Sequence, residues 1–480
     1  MHQIIIIGGG PAGITAALRA RELGAEVTLV ESERLGGTCT NDGCVPTRVL
    51  AKAARLLRDA RQLDDYGIAI TDLELDFPKL LAKTQRVVYK IHEKKQLLSH
   101  LNESGVTVYS DTGSAAFLDS HTISLKNGMR LEADKFILCT GGHARRLDLP
   151  GEEYALSHKE LWSIKALPRS LIIIGAAATG CQLATIFTTF GTKVWLLERS
   201  PRILRVEDEA ISTEITKAFA RQDIEVIPGI SGVEGIEMRG ATTILTYTKD
   251  GEPHQLEAEA TILSAGWLGN VSSLNLEAAG VKSERNYVLV DQHLRTSAPH
   301  IFAAGDITGR MMLVQSAGYE ARTAAENAVL GIGERSQHHI VPHGGFTNPE
   351  YGSVGLTEEQ ARIGDEYVAA VAQYADLDRA VIDEHTEGFC KLIISKENHR
   401  ILGAHIVGEQ ALETIQLAAA AMSADMWIEQ LAELELAYPT YTAIVGMAAR
   451  NAVRELGVMP LTSEWQALGR PHTEWERSSK

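Results

Sequence analysis

Cysteine and positive charge are both scarce in this chain of 480 residues, and long apolar runs are missing. Five cysteines are too few for a disulfide-dense secreted scaffold, and an odd number cannot all pair within one chain. The 46 lysine and arginine residues are outnumbered by 62 aspartate and glutamate residues, which gives a net charge of −16. Because nucleic acids and anionic membranes attract basic surfaces, we expect neither as a partner.

Insertion into a membrane is not expected either. No apolar run approaches the roughly 18–20 residues that a bilayer-spanning helix needs. Residues 1–3 lead directly into the apolar run 4–7 and then glycine, so we expect no signal peptide. Apolar residues make up 45% of the chain and charged residues 22%, which is typical of globular proteins. The composition indicates a soluble cytoplasmic protein of about three domains.

The glycine-rich turn 8–13 has the pattern of a dinucleotide-binding loop. It follows a strand-like run at 3–7 and precedes an Ala-rich helix pattern, after which strand 26–30 ends at Glu31. In such a turn glycines allow a tight bend, close approach of a pyrophosphate and packing of helix on strand, while the helix N-terminus offers N–H groups. A glutamate after the second strand suits a ribose. The candidate contacts are Gly8, Gly10, Pro11, Ala12, Gly13 and Glu31.

The same strand, turn, helix and strand recur at 170–198 with an altered turn. Gly175 and Gly180 are kept, but Ala177 occupies the place of the second glycine, which still allows fairly close approach of a phosphate. Glu198, like Glu31, lies 23 positions after the first glycine of its turn. It favours the free 2′-hydroxyl of NADH, although Arg199, Arg202 or Arg205 would suit the 2′-phosphate of NADPH. The repeat predicts a second nucleotide site.

Cys39 and Cys44 are separated by four residues in a glycine-rich segment. Two such thiols can form a small-loop disulfide where the backbone brings their Cα atoms within about 7 Å. Gly43 and Pro46 indicate a bent entry into a helix predicted over 47–61, and a cysteine near a helix N-terminus has a lowered pKa. Two more ligands at zinc spacing are absent. The segment indicates a redox pair, with two unrelated buried cysteines as the alternative.

The remaining segments indicate a linker, an antiparallel region and a third domain. Residues 149–151 read as a linker, and 222–265 alternate apolar and polar residues as antiparallel strands do. From Phe346 on, strand-like runs precede an Ala- and Leu-rich helical region, 410–456, and the tail after Pro460 is polar and irregular.

Several segments together resemble the pyridine nucleotide-disulfide oxidoreductases, FAD flavoproteins that include dihydrolipoamide dehydrogenase, glutathione reductase and mercuric reductase. GGTCTNDGCVP (36–46) resembles the redox-cysteine signature, and FILCTGG (136–142) resembles the second FAD-contact segment. TSAPHIFAAGD (296–306) resembles the segment whose aspartate binds the ribitol of FAD. FTNPEYGSVGLTE (346–358) and 388–408 resemble the dimerisation domain. The resemblance covers nearly the whole chain.

The resemblance implies an α/β fold with two Rossmann-like domains and a C-terminal α+β dimerisation domain. The implied FAD domain comprises 1–149 and 271–345, the NAD(P) domain 150–270 and the dimerisation domain 346–480. A homodimer and a small-molecule electron acceptor are the implied partners, with no resident metal. Further implied cofactor contacts are Gly37, Thr38, Arg48, Thr140, Gly141, Gly175, Gly180, Gln182, Arg199, Gly266 and Asp306. In the implied mechanism NAD(P)H reduces FAD and FAD reduces the Cys39–Cys44 disulfide, with Cys44 against the flavin and Cys39 attacking the acceptor.

The chain departs from the resemblance around one active centre. Disulfide reductases of the family carry His-Pro-Thr-x-x-Glu, whereas 438–443 place Tyr438 at the histidine and Ala443 at the glutamate. A tyrosine with a pKa near ~10 is a poor base at neutral pH. Arg48 and Gln182 stand where the family usually has a lysine–glutamate pair, and 267–270 lack the usual arginine and proline. We interpret these changes as altered chemistry.

Three hypotheses follow for the acceptor. The first is an FAD-dependent NAD(P)H oxidoreductase whose acceptor needs no histidine base, such as a soft metal ion, a quinone or a small disulfide. Mercuric reductases also carry the tyrosine, but the C-terminal cysteine pair and N-terminal metal-trapping domain of that group are not expected here. The second is a conventional disulfide reductase with His385, His399 or His405 as substitute base. The third is a flavin redox sensor or assembly subunit with little turnover.

Overall fold

The computed structural model describes residues 2–331, 333–338, 340–364 and 366–458, so the predicted irregular tail lies outside the described residues. The chain divides into two compact units. Unit 1 comprises Met1–Asp148, Leu156–Leu167 and Ala265–His338. Unit 2 comprises Leu149–Ala155, Pro168–Ser264 and the described residues after 339. The four domain segments expected from the sequence stay a prediction.

Unit 1 begins with the predicted strand, turn, helix and strand. Apolar side chains fill both faces of the first strand, which is the pattern of a central parallel strand. Pro11 starts the first helix, where its missing N–H costs no hydrogen bond. The elements are β1 (Gln3–Ile7), α1 (Pro11–Glu22), β2 (Glu26–Val30), α2 (Gly37–Asn41), α3 (Cys44–Arg61), α4 (Phe77–Lys95), α5 (Leu97–Glu103), β3 (Thr107–Tyr109), β4 (Ala115–Phe117), β5 (Thr122–Leu125), β6 (Arg130–Glu132), β7 (Lys135–Leu138) and β8 (Gly142–Ala144).

Unit 2 contains the second copy of this arrangement, followed by a helix and antiparallel strands. The elements are β9 (Ser170–Ile174), α6 (Ala178–Thr189), β10 (Lys193–Glu198), α7 (Glu209–Arg221), β11 (Glu225–Pro228), β12 (Gly232–Arg239), β13 (Thr242–Lys249), β14 (Glu252–Ala258) and β15 (Ala260–Leu263). A parallel sheet has the order β11-β10-β9-β15, and β12, β13 and β14 form an antiparallel sheet. The predicted antiparallel region at 222–265 is therefore mostly correct, although β11 and β15 are parallel.

The chain then returns to unit 1. The elements are β16 (Trp267–Gly269), β17 (Ser283–Glu284), β18 (Tyr287–Val288), β19 (Ile301–Ala303) and α8 (Val314–Leu330). The main sheet has the order β19-β7-β1-β2-β3 and is parallel throughout. Helices α1 and α8 pack their alanine-rich faces into the core on this sheet. The ends of parallel strands meet at one edge, so the loops after β1 and β19 lie close together.

The C-terminal part of unit 2 is an antiparallel sheet with helices. Its strands are β20 (His343–Gly345), β21 (Glu350–Gly355), β22 (Tyr367–Gln373), β23 (Phe389–Ser395) and β24 (Ile401–Gly408), in the order β20-β21-β24-β23-β22. Its helices are α9 (Glu358–Ala361), α10 (Asp378–Ile382), α11 (Ala411–Ser423), α12 (Ile428–Ala432) and α13 (Ala443–Leu456). The region 410–456 is thus three helices, interrupted at Asp425 with φ +51° and at Pro439. The α/β class predicted from the sequence is confirmed.

A buried charged cluster lies inside unit 2. Asp208 caps the N-terminus of α7 by accepting the N–H of Ala210, and its carboxylate also lies 2.9 Å from Nζ of Lys391. The neighbouring Glu207 accepts the hydroxyl of Ser353 at 2.8 Å. Asp208, Lys391, Glu207 and Ser353 are all more than nine-tenths buried. The start of helix α7 is thereby tied to strand β23 by a buried charge pair and to strand β21 by a buried hydrogen bond.

None of the described helices is both long and apolar enough to cross a membrane.

Candidate active site

The first glycine turn is held closed by an acidic residue from β2. Gly8 has φ +109°, and a Cβ there would lie 2.3 Å from the carbonyl oxygen of Cys139. The Glu31 carboxylate accepts the N–H of Gly9 at 2.6 Å and the N–H of Glu33 at 2.9 Å. Helix α1 has no side-chain N-cap and no acidic residue in its first turn. Its first N–H groups therefore offer a binding site for an anion.

The second glycine turn repeats this geometry in unit 2. The Glu198 carboxylate accepts the N–H of Ala176 and the N–H of Ser200, both at 2.8 Å. A Cβ on Gly180 would lie 1.9 Å from the carbonyl oxygen of Gly175, so this position needs glycine. Helix α6 likewise lacks a side-chain N-cap and an acidic first turn. The two turns present the same set of N–H groups and the same carboxylate.

The arginines after β10 differ in what they contact. The Arg202 guanidinium donates to the carbonyl oxygens of Leu204, Arg205 and Glu207 at 3.1, 2.8 and 3.0 Å. Arg202 therefore holds its own loop in place. Arg199 and Arg205 are exposed.

The cysteine pair joins two helices of unit 1. Cys39 is half-buried in α2, and Cys44 is exposed as the first residue of α3. The helix predicted over 47–61 thus starts three residues earlier, because a proline such as Pro46 is tolerated in a first helical turn. The N–H groups of Asp42 and Gly43 donate to the Thr38 carbonyl at 2.9 and 2.7 Å and form the bend between the helices.

The two thiols of the pair share one hydrogen bond and have opposite acidities. The hydrogen bond from Cys39 lowers the pKa of Cys44 to about 7. The same bond to Cys44, together with burial, raises the pKa of Cys39. The reduced pair therefore carries its negative charge on Cys44 near neutral pH.

Three side chains from two other segments of unit 1 hold the bend that carries the cysteines. The indole N–H of Trp162 donates to the Asp42 carbonyl at 2.9 Å. From α4, Nε2 of His92 lies 2.7 Å from Oδ1 of Asn41, and Nζ of Lys95 donates to Oγ1 of Thr40 at 3.4 Å. No local spacing in the sequence connects these residues, so sequence reasoning did not identify them.

The loops after β7 and β19 complete the site of unit 1. Thr140 and Asn270 exchange hydrogen bonds, from the Thr140 hydroxyl at 2.9 Å and the Asn270 amide at 2.8 Å. Burial raises the pKa of Asp306, and Glu320 raises it further. The indole N–H of Trp267 opposes that shift by its nearness to Asp306, yet within the described residues it meets no acceptor at hydrogen-bond geometry.

Unit 1 therefore brings most of the predicted site residues together. A Cβ on Gly10 would lie 3.6 Å from the Cα of Gly37, and one on Gly305 would lie 3.2 Å from the Cβ of Ala12. Asp306 follows Gly305 and acts electrostatically on Cys39. The residues in unit 1 are Gly8, Gly10, Pro11, Ala12, Gly13, Glu31, Gly37, Thr38, Cys39, Cys44, Arg48, Thr140, Gly141, Gly266 and Asp306, and those in unit 2 are Gly175, Gly180, Gln182, Glu198, Arg199 and Tyr438.

Tyr438 lies between α12 and α13 and is 58% exposed. Its hydroxyl donates to the carboxylate of Asp378, the first residue of α10. Nearby, the hydroxyl of Tyr441 donates to Asp383 at 2.8 Å, and burial followed by this bond raises the pKa of Tyr441. Asp378 is 60 residues away from Tyr438 in sequence, and no pattern pointed to it.

The three histidines considered as substitute bases have other surroundings. His405 is buried, with Nε2 2.9 Å from the Leu356 carbonyl oxygen and Nδ1 3.2 Å from the Ser353 hydroxyl. His399 lies 2.5 Å from Glu429, at the turn that joins β23 to β24. Asp378 follows β22 at the opposite end of that hairpin, where Phe389 pairs with Val407. His385 follows α10, and its backbone N–H donates to Ala380. Neither His399 nor His405 accompanies Tyr438.

Within the described residues, no three His, Cys, Asp or Glu side chains are grouped in a way that would hold a metal ion.

Comparison with known proteins gives two family matches and two groups of relatives. A model of the pyridine nucleotide-disulphide oxidoreductases matches residues 2–321, and the model of their dimerisation domain matches 341–449. A mercuric reductase of Lysinibacillus sphaericus is 31% identical over 452 residues, which cover 93% of this chain and 82% of that protein. A dihydrolipoyl dehydrogenase of Geobacillus stearothermophilus is 34% identical over 461 residues, which cover 94% and 96%.

A solved structure is similar along nearly the whole chain. It is the HOCl-induced flavoprotein disulfide reductase RclA from Escherichia coli, with a TM-score of 0.82 and 27% identity. The match covers 93% of this chain and 99% of that one. The same protein has also been solved as a Cu(II) complex, with the same TM-score and identity.

Proposed function

The chain belongs to the pyridine nucleotide-disulphide oxidoreductase family, and on that premise we propose that its Cys39–Cys44 pair delivers electrons to an acceptor that needs no histidine base. The family assignment makes the chain an FAD-dependent enzyme that uses NAD(P)H. The acceptor and the roles of individual residues are the proposed part.

The residues of unit 1 fit a bound FAD. The uncapped N-terminus of α1 offers N–H groups to a pyrophosphate, and the Glu31 carboxylate is placed for a ribose. The indole N–H of Trp267 is buried near half-buried Asp306, and among the described residues it meets no acceptor at hydrogen-bond geometry. A buried donor of this kind normally has a partner, which a bound cofactor would supply. When bound, FAD supplies a carrier that takes hydride from a nicotinamide and passes electrons to a disulfide.

The cysteine pair is proposed to transfer two electrons to the acceptor. Cys44 holds the negative charge of the reduced pair, so Cys39 is the thiol that remains for the acceptor. Closing the Cys39–Cys44 disulfide releases two electrons to the acceptor and the one proton that remains on Cys39. A short helix and a bend of two hydrogen bonds keep the two sulfurs together, so the pair can open and close without large movement.

The observation that carries the proposal is the hydrogen bond of Tyr438 to Asp378. Tyr438 occupies the position of the base in the family's disulfide reductases, and its proton is directed to a carboxylate. A phenol in that state accepts no proton at neutral pH. Ala443, at the position of the orienting glutamate, begins α13 and carries no polar group. The acceptor therefore receives no proton from a histidine at this position.

A soft metal ion is the acceptor that we propose first. Thiolates are soft ligands that prefer such ions, and binding of a metal ion to sulfur requires no base once the thiolate has formed. The relatives support this choice, since one group is named mercuric reductase and RclA is known as a Cu(II) complex. Quinones and small disulfides are the competing acceptors.

We propose that the enzyme is a cytoplasmic homodimer. The match to the family's dimerisation domain supports two chains per molecule, and the low cysteine count supports a reducing compartment. Sedimentation is expected to give a dimer. A monomer with full activity would contradict the proposed homodimer.

Anaerobic titration of the holoenzyme tests the proposal. Flavin absorbance is expected to fall on addition of NADH or NADPH, and flavin that stays oxidised with both rules the proposal out. Cu(II) or Hg(II) should then restore the oxidised spectrum in the native chain but not in Cys39→Ser. Cys390→Ala, which alters a thiol buried in β23, is the control and should behave as the native chain. Turnover of lipoamide at about 10 s⁻¹, an ordinary enzyme rate, would support a conventional disulfide reductase instead.

A further inference from the structure

The last turn of α4 places a cation against the helix that carries Cys39. Lys95 donates from Nζ to the hydroxyl of Thr40 at 3.4 Å. Thr40 is buried and directly follows Cys39 in α2. One turn earlier, His92 contacts the Asn41 side chain at 2.7 Å, so α4 and α2 meet along more than one residue. The ammonium of Lys95 therefore reaches the redox helix although most of its own side chain is exposed.

The charged groups that act on Cys39 come from three elements. Cys44 at the start of α3 and Asp306 after β19 both raise the pKa of Cys39, as does burial. The ammonium of Lys95, on α4, lowers the pKa of Cys39. His92 stands in the same cationic surroundings, because burial, Arg34 and Lys95 lower its pKa. These effects favour the neutral imidazole at His92, whereas the ammonium of Lys95 acts directly on Cys39.

We propose that Lys95 is a positioning residue whose positive charge stabilises the thiolate of Cys39. The inference rests on the proposed function only for the role of Cys39. In the step concerned, the Cys39 thiol releases its proton to solvent, and the thiolate sulfur forms a bond to the acceptor without change of oxidation state. With a two-electron acceptor such as Hg(II), formation of the Cys39–Cys44 bond then breaks the sulfur–metal bond and leaves the electron pair on the metal. Cu(II) takes one electron, so two ions are needed for each cysteine pair. Lys95 acts on the first of these steps through its charge.

Alkylation of Cys39 against pH is the test. The holoenzyme carrying Cys44→Ser keeps Cys39 as the single thiol of the pair, and iodoacetamide labelling at residue 39 is followed by mass spectrometry. Lys95→Gln is expected to slow labelling about threefold below the midpoint and to move the midpoint upward by about half a pH unit, the size expected of a solvent-exposed charge nearby. Lys95→Arg should restore the native profile. Lys94→Gln, an exposed neighbour in the same turn, is the matched control and should leave the profile unchanged.

Salt separates a charge effect from a structural one. At about 1 M salt, where the screening length is ~3 Å, the difference between the native chain and Lys95→Gln should fall below about 1.5-fold. The inference is overturned if the native chain and Lys95→Gln give equal labelling profiles at low salt. It is also overturned if salt does not reduce the shift, or if Lys94→Gln produces the same shift. The labelling uses neither nucleotide nor acceptor, so its outcome is independent of the flavin titration that tests the proposed function.

Discussion

The two glycine turns share one backbone conformation but differ in the residue at their central position. Gly10 of the first turn and Ala177 of the second both have φ −78° and ψ −173°, which is extended backbone that any residue adopts. Each turn is closed by a glutamate that accepts two backbone N–H groups. The difference is therefore one of space, since a methyl group limits how closely a phosphate approaches. On this comparison we expect a tightly held dinucleotide in unit 1 and an exchangeable one in unit 2.

The largest effect is expected where a side chain has no room. A Cβ on Gly13 would lie 1.7 Å from the Gly8 carbonyl oxygen, and one on Gly180 would lie 1.9 Å from that of Gly175. Gly13→Val should abolish FAD retention during purification, whereas Gly180→Val should leave the flavin bound but abolish its reduction by NADH. Flavin absorbance per chain and anaerobic titration measure the two effects. Loss of flavin from both variants would contradict separate roles for the two turns.

A contrast of about 100-fold or more is expected between the thiols of the two units. Cys181 lies next to Gly180 in α6, and burial raises its pKa, whereas Cys44 has a pKa of about 7. At neutral pH about half of Cys44 is thiolate, and this fraction falls as pH drops below that pKa. In the reduced native chain, labelling by iodoacetamide should reach Cys44 first and slow tenfold per pH unit in acid. Mass spectrometry after short labelling times reads both sites, and rapid labelling of Cys181 would contradict its burial.

A change of about tenfold is expected from the carboxylate after β10. We expect Glu198 to accept the 2′-hydroxyl of NADH and to repel a 2′-phosphate, while exposed Arg199 and Arg205 lie close by in the chain. Glu198→Gln should lower kcat/KM for NADH and raise it for NADPH, so that the ratio shifts about tenfold, or ~1.4 kcal/mol. Steady-state rates with both nucleotides check this. Arg221→Gln, a change on α7, serves as the control and should leave the ratio unaltered.

The smallest effect is expected when the two turns exchange their central residues. Ala177→Gly should tighten nucleotide binding a few-fold, and Gly10→Ala should weaken FAD binding about as much, each with little change in melting temperature because the backbone is already extended. Equilibrium titration of flavin with the apoprotein and the KM for NADH measure the two changes. A large fall in melting temperature for Gly10→Ala would show that the protein itself fills the space above that residue.

The parts of the molecule that the sequence predicted are those set by local pattern. Strands β1, β2, β9 and β10, both turns and their glutamates follow from short-range spacing, and each strand lies within one residue of its expected bounds. The start of α3 was predicted three residues late, because a proline is tolerated in a first turn as well as before it. The family's residue positions came from resemblance, and their roles stay a prediction.

What the sequence could not predict depends on long-range contacts. Tyr438 meets Asp378 over 60 residues, and Lys95 meets Thr40 over 55. Lysines and aspartates are common on surfaces, so neither residue stands out until the fold brings it to its partner. The histidines considered from the sequence show the opposite case, in which a residue that stands out in sequence has a structural place. His405 is buried in β24, where its ring contacts the Leu356 carbonyl oxygen.

The buried cluster around Asp208 has a consequence for how unit 2 unfolds. Lys391 pairs with Asp208 and also with Glu358, so removing Lys391 leaves the buried Asp208 carboxylate without its cation, at a cost of about 3–5 kcal/mol. If the segment that contains α7 melts while β23 stays folded, the buried pair is broken and that cost is incurred. Unit 2 should give one cooperative calorimetric transition that spans its nucleotide-binding and C-terminal segments, and Lys391→Met should separate it into two.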